Sequence, residues 1–173
     1  RHMIMVAEKL SLADLNPRSF AYGSFPYYLL WLVSRGAGIF SAYLMHYDGL
    51  FLVGRFLCIL FGLAGVVLVY LAAQRVFRNE TTSLIAAALL GMNAFHIQLS
   101  RFYTVDVILT TTSLAALLGM LWLARRGSFA SYVLTGVCIG LSLGSKISAV
   151  FLALPLLAAW LTNRVRADRF FSL

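Results

Sequence analysis

Charged residues in this chain fall in narrow clusters. Between them run uncharged stretches from Phe56 to Gln74, Thr81 to Ser100, Val107 to Ala124, Gly127 to Ser145 and Ile147 to Asn163. Each stretch is near the ~17–25 residues that a helix needs to cross a ~30 Å hydrocarbon core. A backbone exposed to lipid must satisfy its hydrogen bonds within its own segment, so runs of this length are expected to be helices rather than short alternating barrel strands. Composition agrees: 61% of the residues are hydrophobic and 12% charged, against about 45–50% and 25% in soluble domains. The sequence therefore predicts an all-α, polytopic transmembrane bundle of about five spans.

The net charge of +8 follows from topology and gives no reason to invoke nucleic acid. Arg75 and Arg78 lie between the first two spans, Arg125 and Arg126 between the third and fourth, and Arg164, Arg166 and Arg169 after the fifth. Those clusters share one side of the membrane. The positive-inside rule makes that side cytoplasmic and places residues 1 to 54, the segment from Arg101 to Asp106 and the turn at Lys146 outside. The domain reading is an outer loop over residues 1–54 and a transmembrane domain over 55–173, incomplete at both ends. Cys58 and Cys138 sit in apolar runs without metal-ligand spacing and read as small core residues. Arg1 to Phe20 is a mixed polar segment that does not read as a signal peptide, and a start at Arg1 leads to the expectation that something precedes it.

Within the outer loop, Met3, Val6, Ala7 and Leu10 recur at helical spacing opposite Glu8 and Lys9, which predicts a short surface or interfacial helix over Met3 to Leu12. Asn16-Pro17 ends it. From Phe20 to Tyr47 the sequence is rich in aromatic residues and interrupted by Arg35, Gly36 and Gly38, a pattern of helices lying in the headgroup region. In the fourth span Gly136, Gly140 and Gly144 recur every four residues, so they line one face and are expected to let another helix approach closely. Pro155 is expected to kink the fifth span.

The most polar junction between two spans runs from His96 through Gln98, Ser100, Arg101 and Tyr103 to Asp106. Arg101 and Asp106 could be interfacial anchors paired across the turn, an exposed ion pair of little energetic weight. The other reading starts from Arg101 and Lys146, both on the side where topology does not call for basic residues. Ionisable groups at that depth cost ~2.5–3.5 kcal/mol each on insertion scales and usually have a partner or a task. A lipid-linked phosphate suits them, since arginine offers paired donors and lysine a point charge. Asp106 is the one acid between Glu80 and Asp168, a candidate to ligate a divalent metal, bind a sugar or orient Arg101. His96 alone carries little weight, and Arg55 either joins the phosphate pocket or snorkels to the headgroups, the second being favoured.

Several segments resemble the dolichyl-phosphate-mannose protein mannosyltransferases and their bacterial relatives, in the GT-C superfamily. They are Asp14 to Pro26, Gly54-Arg55-Phe56, Leu71 to Phe77, His96 to Asp106 and Gly144 to Ala149, in the family's order over nearly the whole chain. The run from His96 to Asp106 is the most specific. The resemblance implies a sugar donor on a polyprenyl phosphate, a protein, lipid or other envelope acceptor, and an active site at the outer face of the plasma (inner) membrane. Family members carry an acidic pair at the start of the first outer loop, including the general base. Neither Glu8 nor Asp14 aligns with it, so that base is expected upstream of Arg1.

The reading is an inverting membrane glycosyltransferase, inactive as this fragment alone. His96, Arg101 and Lys146 hold the donor phosphate, Gln98, Tyr103 and Arg55 line the substrate site, and Asp106 supports catalysis or a divalent metal. Two rivals are a transporter, which should place polar groups near mid-membrane or show pseudo-symmetry, and a non-enzymatic membrane scaffold.

Overall fold

The computed structural model describes residues 2–12, 14–19 and 22–171, the last six by backbone alone. Phe20 of the aromatic segment and the side chains of Arg166 and Arg169 lie outside the described residues. Among the described residues the protein is helical: α1 His2–Lys9, α2 Phe25–Gly38, α3 Tyr47–Phe77, α4 Glu80–Gly91, α5 Ala94–Ser100, α6 Val105–Arg126, α7 Phe129–Ser145 and α8 Ala153–Phe171. Short 3-10 turns cover Ala42–Met45 and Ile147–Leu152.

Helices α3 and α6 and the segment Ile147–Val165 are long and apolar enough to cross a membrane. The bent pair α4–α5 makes a fourth crossing if taken as one span, while α7, with 17 residues, is shorter than the others. All five apolar stretches are thus helical, but the count of clear spans is three or four. Large apolar side chains such as Phe56, Leu63, Val67 and Leu89 face outward, as lipid contact requires. The protein is an integral membrane bundle.

The segment before α3 folds against one end of this bundle. α1 buries Met3, Ile4 and Ala7, with Glu8 and Lys9 exposed, and Pro26, Tyr27 and Leu30 of α2 are buried in the same core. α2 has 14 residues, about 21 Å at 1.5 Å per residue, too short to span. α3 begins at Tyr47 and so crosses the boundary drawn between residues 54 and 55. Its buried residues Leu50, Val53, Leu57 and Cys58 belong to the core that also holds α1 and α2.

Three local expectations are corrected. The stretch Thr81 to Ser100 is not one straight helix but bends by 59° between α4 and α5. Asn93 is extended there and its side chain accepts from the His96 amide at 3.0 Å, capping a new helix in place of continuing the old one. Pro155 does not kink a continuous helix. The chain runs as a 3-10 turn to Leu152 and restarts as α8 at Ala153, with Pro155 in the first turn, where a missing N–H leaves no intrahelical bond broken.

The third correction concerns the glycine stripe. A methyl built on Gly136 or Gly140 would meet nothing within 4 Å, and only Gly144 is close to another element, with the Phe25 Cβ at 3.1 Å. The face of α7 that packs carries Ser131, Thr135, Ser142 and Ser145, all buried, with Cys138 partly buried between them. These positions alternate by four and three, the spacing of a helix seam. Each hydroxyl donates to a carbonyl one turn back, for example Thr135 to Ser131 and Ser142 to Cys138 at 2.8 Å, which lets polar side chains sit inside without an orphaned group. Opposite them Gly119 of α6 stands close to Thr135. Small hydroxyl residues, not the glycines, form the α6–α7 seam.

Candidate functional site

The polar groups at this end of the bundle come from the α5–α6 junction, the start of α3 and the end of α7. Lys146 follows the last residue of α7 in extended conformation, and its Nζ lies 3.1 Å from Oδ1 of Asp106 in the first turn of α6. The pair is half-exposed. Asp106 is therefore partnered by Lys146 across two helices, and not by Arg101 across the turn. The carboxylate thus stands at a helix N-terminus, where the helix dipole favours negative charge, and opposite the Lys146 ammonium.

Arg101 caps the C-terminus of α5, with its side chain exposed and, among the described residues, in no ion pair. Its carbonyl accepts from Nε of Arg55 at 3.1 Å. The Arg55 guanidinium stacks on Phe51 and Phe102, with centroid distances of 5.0 and 5.7 Å. Arg55 thus braces the Arg101 turn by stacking and a backbone bond, a more definite role than free snorkelling. Gln98 is exposed on α5.

His96 is partly buried against α3, its Nε2 3.2 Å from the carbonyl of Gly62. A carbonyl only accepts, so Nε2 is the donor in this bond. Ser100 donates to the His96 carbonyl at 2.8 Å. Beside them, between α3 and the bent α4–α5 pair, runs a groove of about 400 Å³ lined by Ile59, Leu63, Val66 and Ile97 together with His96 and Arg101. A mainly apolar trough with a histidine and an arginine in its lining is suited to a ligand with a hydrocarbon tail and an anionic head.

Tyr103 is placed differently from the sequence expectation. It is buried, and its hydroxyl donates to the Pro26 carbonyl at 2.6 Å. Burial pushes its phenol far above the ordinary range, with the Cys58 thiol adding to the effect, so it stays neutral and a donor. Its ring lies 3.0 Å from where a methyl on Gly54 would stand. The residue therefore ties α2 to α3 and does not face the site. A second tie, invisible in the sequence, is the Gly23 amide donating to the Ser145 carbonyl at 3.0 Å. There the backbones are so close that a methyl on Gly23 would fall 2.0 Å from the Gly144 carbonyl oxygen. The outer segment is thereby anchored one residue before Lys146.

The metal role considered for Asp106 does not fit this donor set. Among the described residues no three histidine, cysteine or acidic groups come together, and the Asp106 carboxylate already faces an ammonium. Cys58 and Cys138 are free thiols.

The fold and these polar groups define a helical membrane protein with a cluster of charged groups where the bundle meets the segment before α3. The sequence model of the dolichyl-phosphate-mannose-protein mannosyltransferases matches residues 25–172. The chain belongs to that family of membrane glycosyltransferases. No curated protein and no solved structure matches it.

Proposed function

We propose that this protein transfers a sugar from a polyprenyl-phosphate donor to a protein, lipid or other envelope acceptor at the outer face of the plasma (inner) membrane. The observation that carries this reading is the apolar groove between α3 and α4–α5 that includes His96 and Arg101 in its lining, with Arg101 five residues along the chain from Asp106 of the Asp106–Lys146 pair. The groove takes the prenyl chain and the cations face the phosphate.

In the reaction the acceptor oxygen attacks the anomeric carbon, forming the new C–O bond as the bond to the phosphate oxygen breaks, with inversion. The pair of electrons leaves on the phosphate. Arg101 and Lys146 stabilise that developing charge because they are positioned before it forms. Asp106 acts as a positioning residue that keeps the Lys146 ammonium at the site; the acceptor proton passes to a separate carboxylate base, the family's acid with which neither Glu8 nor Asp14 aligns. Arg55 holds the turn that carries Arg101, and Gln98 is available to hydrogen-bond the sugar.

The test is donor binding by the full-length protein in nanodiscs, comparing wild type with Arg101→Ala and Lys146→Ala. A phosphate contact through a charged hydrogen bond is worth about 1.5–3 kcal/mol, so affinity should fall roughly ten- to a hundredfold in each variant. Unchanged affinity in folded variants would leave both residues as interfacial anchors and remove the phosphate site.

A further inference from the structure

The opposite end of the bundle carries a cluster of charge that sugar transfer does not use. Arg75 at the end of α3 and Arg125 and Arg126 at the end of α6 line a cavity of about 420 Å³ together with Trp122. Arg125 donates from its guanidinium to the Arg75 carbonyl, which fastens the two helix ends together. Among the described residues none of the three guanidiniums is in an ion pair.

Helix dipoles and membrane topology account for positive charge at these termini. They do not account for three arginines lining one open cavity together with a tryptophan, a constellation that presents positive charge to an anion. Trp122 sets the depth of the cavity, since tryptophan prefers the membrane–water interface. Leading up to Arg75 along α3 are Leu63, Val67 and Leu71, all exposed. Their spacing of four puts them on one stripe of the helix with Arg75. A soluble anion has no use for such a stripe, whereas a lipid lays its acyl chains along it.

We propose that this cavity binds the phosphodiester headgroup of an anionic membrane phospholipid. Arg75 and Arg126 hold the phosphate oxygens, Trp122 packs on the glycerol level, and an acyl chain follows Val67 and Leu71. Arginine suits the role because its planar fork gives two parallel bonds to phosphate.

The experiment is native mass spectrometry of the full-length protein released from micelles containing phosphatidylglycerol or phosphatidylcholine, for wild type and for Arg75→Gln/Arg126→Gln. Inorganic phosphate serves as a competitor, and thermal unfolding in lipid-free detergent reports on folding. Wild type is expected to retain phosphatidylglycerol in preference to phosphatidylcholine. The double variant should lose that retention by roughly thirtyfold, the effect of removing two arginines at a lipid surface, with its unfolding temperature unchanged. Equal retention of the two lipids by wild type overturns the proposal, whatever the variant's folding. So does a folded double variant that keeps phosphatidylglycerol, or displacement of the lipid by inorganic phosphate, which would mark a soluble anion as the occupant.

Discussion

Tyr103→Phe separates a structural tie from a substrate contact. The hydroxyl is buried and bonded at 2.6 Å to the Pro26 carbonyl, 77 residues away in the chain. Removing it costs the net value of one buried hydrogen bond, about 1 kcal/mol, because Pro26 lies inside α2 and its carbonyl keeps the intrahelical acceptor role. In a protein of this size that corresponds to a fall of about 2–4 °C in unfolding temperature. Measured by a thermal scan in detergent at fixed rate, the variant should show that fall while donor affinity stays at the wild-type value. The pH dependence supplies a second signature. Tyr103 keeps its proton in the folded state to well above the ordinary value of 10.0, so the unfolded chain is the first to lose it. Stability from this group is complete below pH ~10 and declines as pH rises beyond it, because the folded state then binds more protons than the unfolded one. The difference between wild type and Tyr103→Phe should therefore narrow above pH ~10. An unchanged unfolding temperature together with a tenfold loss of donor affinity would refute this account and return Tyr103 to the substrate site.

Other substitutions test the packing directly. Gly54→Ala pushes a methyl to 3.0 Å from the Tyr103 ring and should destabilise by about 1–3 kcal/mol through overpacking, read by the same thermal scan. Gly136→Ala and Gly140→Ala meet open space and should be neutral or stabilise by up to about 1 kcal/mol each through helix propensity; a loss of stability would mean that another helix covers this face. Asp106→Asn breaks a half-exposed ion pair, so its effect on unfolding should stay below about 1 kcal/mol, while donor affinity falls because Lys146 is no longer held at the site.

The helical character and the membrane setting were legible because both are written in one dimension. Uncharged runs of 17 to 20 residues, read from the spacing of charges, mark the apolar helices whatever their packing. The same spacing is silent about local breaks shorter than a turn. The bend at Asn93 depends on one side chain reaching the His96 amide, and an asparagine inside an apolar run is equally compatible with a continuous helix. The glycine stripe misled for a related reason. A repeat of four shows that residues share a face but not which face meets a neighbour, and here Ser131, Thr135, Ser142 and Ser145 form the seam because their hydroxyls can bond back to their own helix.

The site was legible as an inventory and not as a set of pairs. His96, Arg101, Asp106 and Lys146 are the polar groups at the ends of apolar spans, and insertion cost alone marks them as unusual. Their partners depend on how helices far apart in sequence are brought together. Asp106 meets Lys146, 40 residues on, because the α6–α7 seam of small residues lets the two helices run back to back until their outer ends coincide. That seam is also what the Gly23–Ser145 contact locks from above, so the outer segment fixes the end of α7 from which Lys146 projects. It follows that Gly23→Ala, which would drive a methyl into the Gly144 carbonyl, should displace Lys146 from Asp106 without altering either side chain. Donor affinity should then fall toward the Lys146→Ala value in a protein whose spans remain helical by circular dichroism. Retained affinity would mean that Lys146 is positioned by α7 alone, with the outer segment a cover and not a brace.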